Sequence, residues 1–386
     1  MIYLDNNATT QIDPAAMEAM LPFLTTSYAN PSSGYQFAAE ARRALEQARG
    51  QLAGALGCQA SEIVFTSGGT EANNAAINSA LQFEPRGKHI VTTAVEHSAV
   101  RRHCQELQKR GAEVTFLGVD ATGNLDLAEL GKSIRPETAI VSVMWANNET
   151  GVIFPVEEIA EICRARRVFL HTDAVQVLGK VALRLQETSV NFLSLSAHKF
   201  HGPKGVGALY VRSGTRFLPS LIGGSHESDR RAGTENVASI IGMGKAAEMV
   251  ARNIGEEQER VGALRDRFEA ALVEKIPGIA INGSRAPRLC NTTSVSFEGI
   301  ESQAALMLLD RAGVCCSAGS ACKAGSTESS HVMRAMHVAE ERARGTLRFS
   351  LGRFNAAAEV ERACAIVPGV IAKLRSLDNG VAPAVR

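Results

Sequence analysis

Between residues 60 and 211 the apolar positions fall in short, β-branched runs, and the stretches between them carry apolar residues three and four apart. The runs Ile63–Thr66, His89–Thr93, Val114–Val119, Ala139–Met144, Val168–Thr172 and Asn191–Leu195 predict strands buried on both faces, as in a mostly parallel sheet. Helical spacing predicts helices over Glu71–Leu81, Ala99–Arg110, Leu127–Ile134 and Val156–Arg166. Asp126 and Glu129 offer a capping-box-like start to the third. Such alternation implies a doubly wound α/β sheet, which takes its ligands at the carboxyl ends of its strands. A glycine-proline loop then leads into one more strand, Gly207–Val211. Near Gly255 the rhythm changes. An amphipathic helix follows, with Val261, Leu264, Phe268 and Leu272 on one face, and then shorter strands at Thr293–Phe297 and Thr346–Leu351. We therefore expect a large domain over 12–254 and a smaller α+β domain from 1–11 with 255–386, frayed after Asp378.

Composition narrows the class. The 386 residues suggest two domains or one large one, and 45% hydrophobic residues are enough for a substantial core. A formal charge of +1 argues against a dedicated nucleic-acid or membrane surface, and no apolar run is long enough to span a bilayer. The chain enters Tyr3-Leu4-Asp5 without a basic leader. Its eight cysteines are scattered, without the CxxC pairs of a structural zinc site. They read as reduced thiols of a cytoplasmic protein that holds no metal.

The candidate chemistry lies at the strand ends. In SLSAHKFHGPKG (194–205) a strand ends in two hydroxyls, a histidine and Lys199. A lysine there is unfavourable unless neutral or covalently occupied, and one efficient use is a Schiff base to a carbonyl cofactor. Ser196 and His198 could hold a phosphate beside it, the pattern of a pyridoxal-phosphate lysine. TSGGTEAN (66–73) reads as an anion cradle at a helix start, with Thr70 adding a hydroxyl, or as a tight strand–helix turn. HTDAVQ (171–176) ends a strand with Asp173, a partner for a protonated pyridine nitrogen or a cap for the next helix. His97 in AVEHSAV (94–100) could stack on a flat ring or move protons, or could merely start a helix. WANNETG (145–151) brings Asn147, Asn148 and Glu149 to a fourth strand end. Taken together these signals are much stronger than any one of them.

With these motifs the chain resembles a fold-type I pyridoxal-phosphate enzyme of the class V aminotransferase group, specifically a cysteine desulfurase. The match runs from YLDNNATT (3–10) through SGGTEANN (67–74), EHSAV (96–100), NNETG (147–151), HTDAVQ, SAHKFHGPKG and RRAGTEN (230–236) to RFSLGRF (348–354). CSAGSACKAG (316–325) resembles the family's cysteine loop, and ESSHVMRAM (328–336) is most like the nitrogenase-associated branch. The resemblance implies that Lys199 holds pyridoxal 5'-phosphate and moves the substrate's protons. It implies that Asp173 pairs with the pyridine nitrogen, that Gln176 donates to the ring oxygen and that His97 stacks on the ring. Thr70, Ser196 and His198 would bind the phosphate, joined by Thr234 of a neighbouring subunit in a homodimer. Asn148 and Arg348 would hold the substrate, the arginine as a bidentate fork on the α-carboxylate, with Asn7 near the same group.

Cys322 lies among glycines and small residues, a composition suited to an exposed loop on which a thiol can ionise. Cys315 and Cys316 follow an apolar run and read as core. Lys323 stands where the family commonly has threonine or serine, and its ammonium should favour the Cys322 thiolate. The reaction the resemblance implies takes L-cysteine to L-alanine, leaves a persulfide on Cys322 and passes the sulfur to an acceptor such as an iron–sulfur scaffold. A selenocysteine lyase or a class V aminotransferase would share the cofactor site. A cysteine-rich metal or cluster scaffold is a further reading, disfavoured by the unclustered cysteines.

Overall fold

A computed structural model describes residues 1–83, 87–283, 287–319 and 329–378. Twelve strands are described: β1 (Ile2–Tyr3), β2 (Ile63–Thr66), β3 (His89–Thr93), β4 (Glu113–Leu117), β5 (Thr138–Ser142), β6 (Phe169–Asp173), β7 (Phe192–Ser196), β8 (Gly207–Val211), β9 (Ile279–Asn282), β10 (Thr292–Phe297), β11 (Val314–Cys315) and β12 (Thr346–Ser350). The helices of the first two-thirds are α1 (Pro14–Thr25), α2 (Gln36–Leu56), α3 (Gly69–Phe83), α4 (Ser98–Lys109), α5 (Leu127–Ser133), α6 (Val156–Arg166) and α7 (Val237–Arg252). Then come α8 (Ile254–Lys275), α9 (Ser302–Arg311), α10 (His331–Ala335), α11 (Glu340–Arg344) and α12 (Ala357–Asp378).

The large sheet has seven strands in the order β2-β8-β7-β6-β5-β3-β4. The five strands β3 to β7 run parallel, whereas β8 is antiparallel to both β7 and β2. Every residue of β3, β5, β7 and β8 is buried, which is why they read as unbroken apolar runs. On one face α3 and α4 pack through Ala72, Ala76, Ala80, Val100 and Cys104. The other face carries the main core, with Leu52 of α2, Ile159 of α6 and Ile240 of α7. A second core, including Phe268 and Val367, sits under the antiparallel sheet β12-β10-β9 with α8, α9 and α12. The first residues join it, because β1 pairs with β11 and Asp5 bridges Ser350. Val332 and Met333 of α10, with Met336 and Ala343, pack instead into the main core.

Strand ends differ from expectation by a residue or two. β6 and β7 run one residue further, to Asp173 and Ser196, because the ladder continues through polar residues: Asp173 pairs with Ser194 and Ser196 with Gly207. α3 starts at Gly69, not Glu71, since the Ala72 N–H already donates to the Gly68 carbonyl at 3.2 Å. Among the described residues no helix is long and apolar enough to cross a membrane.

Candidate active site

The carboxyl ends of the parallel strands open on a cavity of about 250 Å³. Ten of the residues singled out from the sequence line it: Asn7, Thr70, His97, Asn148, Asp173, Gln176, Ser196, His198, Lys199 and Arg348. Lys199 ends the 3-10 turn Ala197–Lys199 that follows β7. Its Nζ donates to the carbonyls of Asn7 (2.6 Å) and Ala8 (2.8 Å). Burial pushes its pKa down to about 7, Arg348 and Lys180 push the same way, and Asp5 and Asp173 oppose them. The amine can therefore lose its proton near neutral pH. His198 is pushed down to about 4 by burial, with Lys199, Lys204 and Lys180 adding to it, and its Nδ1 lies 3.1 Å from Thr9 Oγ1.

Asp173 is a local cap and also faces the cavity. Its Oδ1 accepts from the Val175 N–H at 3.0 Å as a local cap, while Oδ2 accepts from Asn73 Nδ2 at 2.7 Å and the residue lines the cavity. His97 is likewise the N-cap of α4 and a lining residue. Its Nδ1 accepts from the Ala99 N–H at 3.2 Å, so a neutral ring carries its proton on Nε2. Burial pushes its pKa down; Asp173 opposes this and Lys199 adds to it.

Arg348, on β12, is 1% exposed. Its Nη1 donates to the Asn148 carbonyl at 2.9 Å and Nη2 to Asp5 Oδ1 at 2.7 Å, while the buried Nε has no partner. Asn7 is more committed than expected. Its Nδ2 donates to Thr292 Oγ1 (2.8 Å) and the Asn148 carbonyl (3.2 Å), and its Oδ1 accepts from Asn291 at 3.0 Å. Gln176 Nε2 donates to the Asn7 carbonyl at 2.9 Å. The SGGT turn is tight, since a Cβ on Gly69 would stand 2.6 Å from Val175 Cγ2.

One expected residue, Thr234, is not in this cavity. Thr234 lines a second one of about 240 Å³, with Ser67, Gly205 and Arg231. Cys322 lies outside the described residues, as does Lys323. Three participants escaped the sequence reading: Asn73, which holds Asp173; Asp5, which orients Arg348; and Lys180, which donates to Gln176. Asn73 and Asp5 stood inside quoted motifs, so position was their only signal. As a set, the glycine cradle with its hydroxyls, the weakly basic lysine and the anchored carboxylate fit pyridoxal phosphate, and the unpartnered Arg348 Nε leaves a cation for an acid group.

The fold is that of the class V aminotransferases: residues 2–363 match the family described as aminotransferase class-V, and the chain belongs to it. Members of this family depend on pyridoxal phosphate. Within it, the chain is similar to proteins named cysteine desulfurase. It is 52% identical to one from Gluconacetobacter diazotrophicus (98% of this chain, 95% of the relative) and 49% identical to cysteine desulfurase 2 of Trichormus variabilis (98% and 95%). Cysteine desulfurase NifS of Azotobacter vinelandii is 48% identical over 98% of this chain and 94% of its own. A solved NifS-like protein superposes with a TM-score of 0.89 at 35% identity, covering 98% of this chain and all of that one.

Proposed function

We propose that the chain is a pyridoxal-phosphate-dependent cysteine desulfurase that takes L-cysteine to L-alanine and leaves the sulfur on Cys322 as a persulfide. The observation that carries this reading is the meeting of Lys199, Asp173 and Arg348 in one cavity. Lys199 would hold the cofactor, Asp173 would meet its pyridine nitrogen, Gln176 would donate to the ring oxygen and His97 would contact the ring. Thr70, Ser196 and His198 would take the phosphate, with Thr234 supplied by the second subunit of a homodimer. Bound there, pyridoxal phosphate supplies an electron sink beside the substrate's Cα.

The chain's own groups do the rest. Asp5 and the Asn148 carbonyl hold the Arg348 fork in one orientation, and its remaining N–H groups would grip the α-carboxylate, next to the Asn148 side chain. Nζ of Lys199 would remove the Cα proton, and it or Nε2 of His97 would return protons as alanine forms. The substrate's Cβ–S bond breaks, an S–S bond forms at the enzyme thiolate, and the carbon left behind is protonated to a methyl group. Atoms balance: cysteine and one enzyme thiol give alanine and one enzyme persulfide.

Burial is the leading cause of a raised thiol pKa at all seven described cysteines, 58, 104, 163, 290, 315, 316 and 364. None of them is favoured as a thiolate, which supports Cys322 as the acceptor. We further infer that residues 12–254 form the cofactor domain, and that 1–11 with 255–386 form a smaller one contributing Asp5, Asn7, Arg348 and Cys322. The sulfur then passes to an acceptor protein, by our reading an iron–sulfur scaffold.

The test is intact mass after incubation with L-cysteine. Wild type should gain one sulfur and release alanine; Cys322→Ser should keep its cofactor, gain none and lose alanine formation. A persulfide mapped to Cys315 or Cys316 would refute the choice of nucleophile.

A further inference from the structure

We propose that Lys180 is a positioning residue of this same site: its ammonium fixes the Gln176 amide with its N–H side toward the cavity and toward the carbonyl that Lys199 also uses. This rests on the cofactor reading above. Lys180 closes the turn after β6, where Gly179 adopts φ 80° and a Cβ would stand 3.0 Å from Val250. From there Lys180 Nζ donates to the Gln176 carbonyl at 3.1 Å and to Gln176 Oε1 at 3.2 Å. An ammonium has three donors and no acceptor, so the amide oxygen must face it. The NH2 is thereby turned the other way, where Nε2 reaches the Asn7 carbonyl at 2.9 Å. That oxygen also accepts from Lys199 Nζ at 2.6 Å. Lys180, Gln176, the Asn7 carbonyl and Lys199 thus form one continuous chain.

The hydrogen bonds of this ammonium go, among the described residues, only to Gln176. Among the described residues no carboxylate comes within 4.0 Å of its Nζ. The charged or ionisable groups acting on it are Cys290 and Glu257, which favour its proton, and Arg348, which disfavours it; burial is the largest effect and pushes it down to about 8. A half-buried lysine whose side-chain hydrogen bonds, among the described residues, all go to one glutamine is poorly explained as a stabilising ion pair. It is well explained as the group that sets the glutamine's direction.

The test is a double-mutant cycle on the holoenzyme. Lys180→Met should lower kcat/KM for L-cysteine about 10-fold and shift the absorbance maximum of the bound cofactor, and Gln176→Leu should do likewise. The double variant should be no worse than the poorer single one. Affinity of the cofactor-free protein for added pyridoxal phosphate, which does not depend on turnover, should follow the same pattern. Gln176→Glu offers Lys180 two oxygens but has no N–H, so it should fall with Gln176→Leu; it remains informative if Lys180→Met does not fold. Losses that multiply to roughly 100-fold overturn the inference, as does a Gln176→Glu enzyme of wild-type activity or a Lys180→Met enzyme of wild-type spectrum and affinity. A wild-type protein that binds no pyridoxal phosphate is a different result, and it overturns the cofactor reading and this inference together.

Discussion

At the scale of single residues, environment rather than residue type assigns the chemistry. Of the lysines, Lys199 combines a strand-end position, burial and a pKa near 7 with a place in the cavity, while Lys204 lies past the glycine-proline turn and is exposed. Lys199→Ala should therefore lose the cofactor's visible absorbance and essentially all alanine formation, both read on the purified protein; turnover near the wild-type rate would show that another amine does the work. Glu96, one residue before His97, is an equally perturbed group with a different consequence. Its Oε1 accepts from Thr93 Oγ1 (2.8 Å) and the Met144 N–H (2.9 Å), and Oε2 is buried without a partner. Burial pushes its pKa from 4.5 up to about 8 against those two hydrogen bonds, with Asp173 adding to the rise. Between those values the folded protein holds a proton that the unfolded chain has released, so this group's contribution is full at low pH and is lost as pH rises. The expected slope is about 1.4 kcal/mol of lost stability per pH unit across that window. Glu96→Gln keeps the acceptor oxygen but cannot ionise, and urea unfolding from pH 5 to 8 should show that slope flattened. An unchanged slope would place its origin elsewhere.

At the scale of elements, burial on both faces made the parallel strands legible, because an uninterrupted apolar run has one reading when it is bounded by turns. Pairing was less legible. β8 was expected as a strand, yet its antiparallel insertion between β2 and β7 depends on contacts that no local pattern records. The same limit hid Asn73, which acts on Asp173 from a different turn; Lys180 lies only four residues after Gln176, but just beyond the HTDAVQ motif. Gly207 shows what that pairing imposes. It faces Ser196 on one side and Thr66 on the other, and a Cβ there would stand 2.6 Å from Gly68 Cα and closer still to the Leu195 carbonyl. Backbone cannot yield as a side-chain tip can, so Gly207→Ala must push the cradle away from the end of β7. We expect about 1–3 kcal/mol of destabilisation and a clear loss of affinity for pyridoxal phosphate. Thermal unfolding and a cofactor titration measure the two; an alanine variant with unaltered affinity would show that the cradle does not depend on this close approach.

At the scale of the whole molecule, the site joins segments from both ends of the chain, since Asp5 and Arg348 meet over a cavity lined mainly by the segments that follow β2, β5, β6 and β7. Thr234 is the expected phosphate residue that does not line the cavity of Lys199. It faces a separate cavity beside Ser67 and Gly205, on the far side of the TSGG turn from Lys199's cavity, an arrangement that suits a hydroxyl offered to a second subunit. If two copies share their sites in this way, lesions can be sorted between them by mixing. A Lys199→Ala subunit paired with a Thr234→Ala subunit makes one site that carries both lesions and another that carries neither. The second site takes Lys199 from the Thr234→Ala subunit and Thr234 from the Lys199→Ala subunit. Random reassortment makes half the dimers mixed, and each mixed dimer has one intact site, so roughly a quarter of the wild-type rate should return from two nearly inactive parents. Sedimentation of the mixture, with alanine release measured before and after reassortment, distinguishes this from simple addition of residual activities. No rescue in a mixed dimer would mean that Thr234 serves its own subunit, and a fully active monomer would remove the need for a shared site at all.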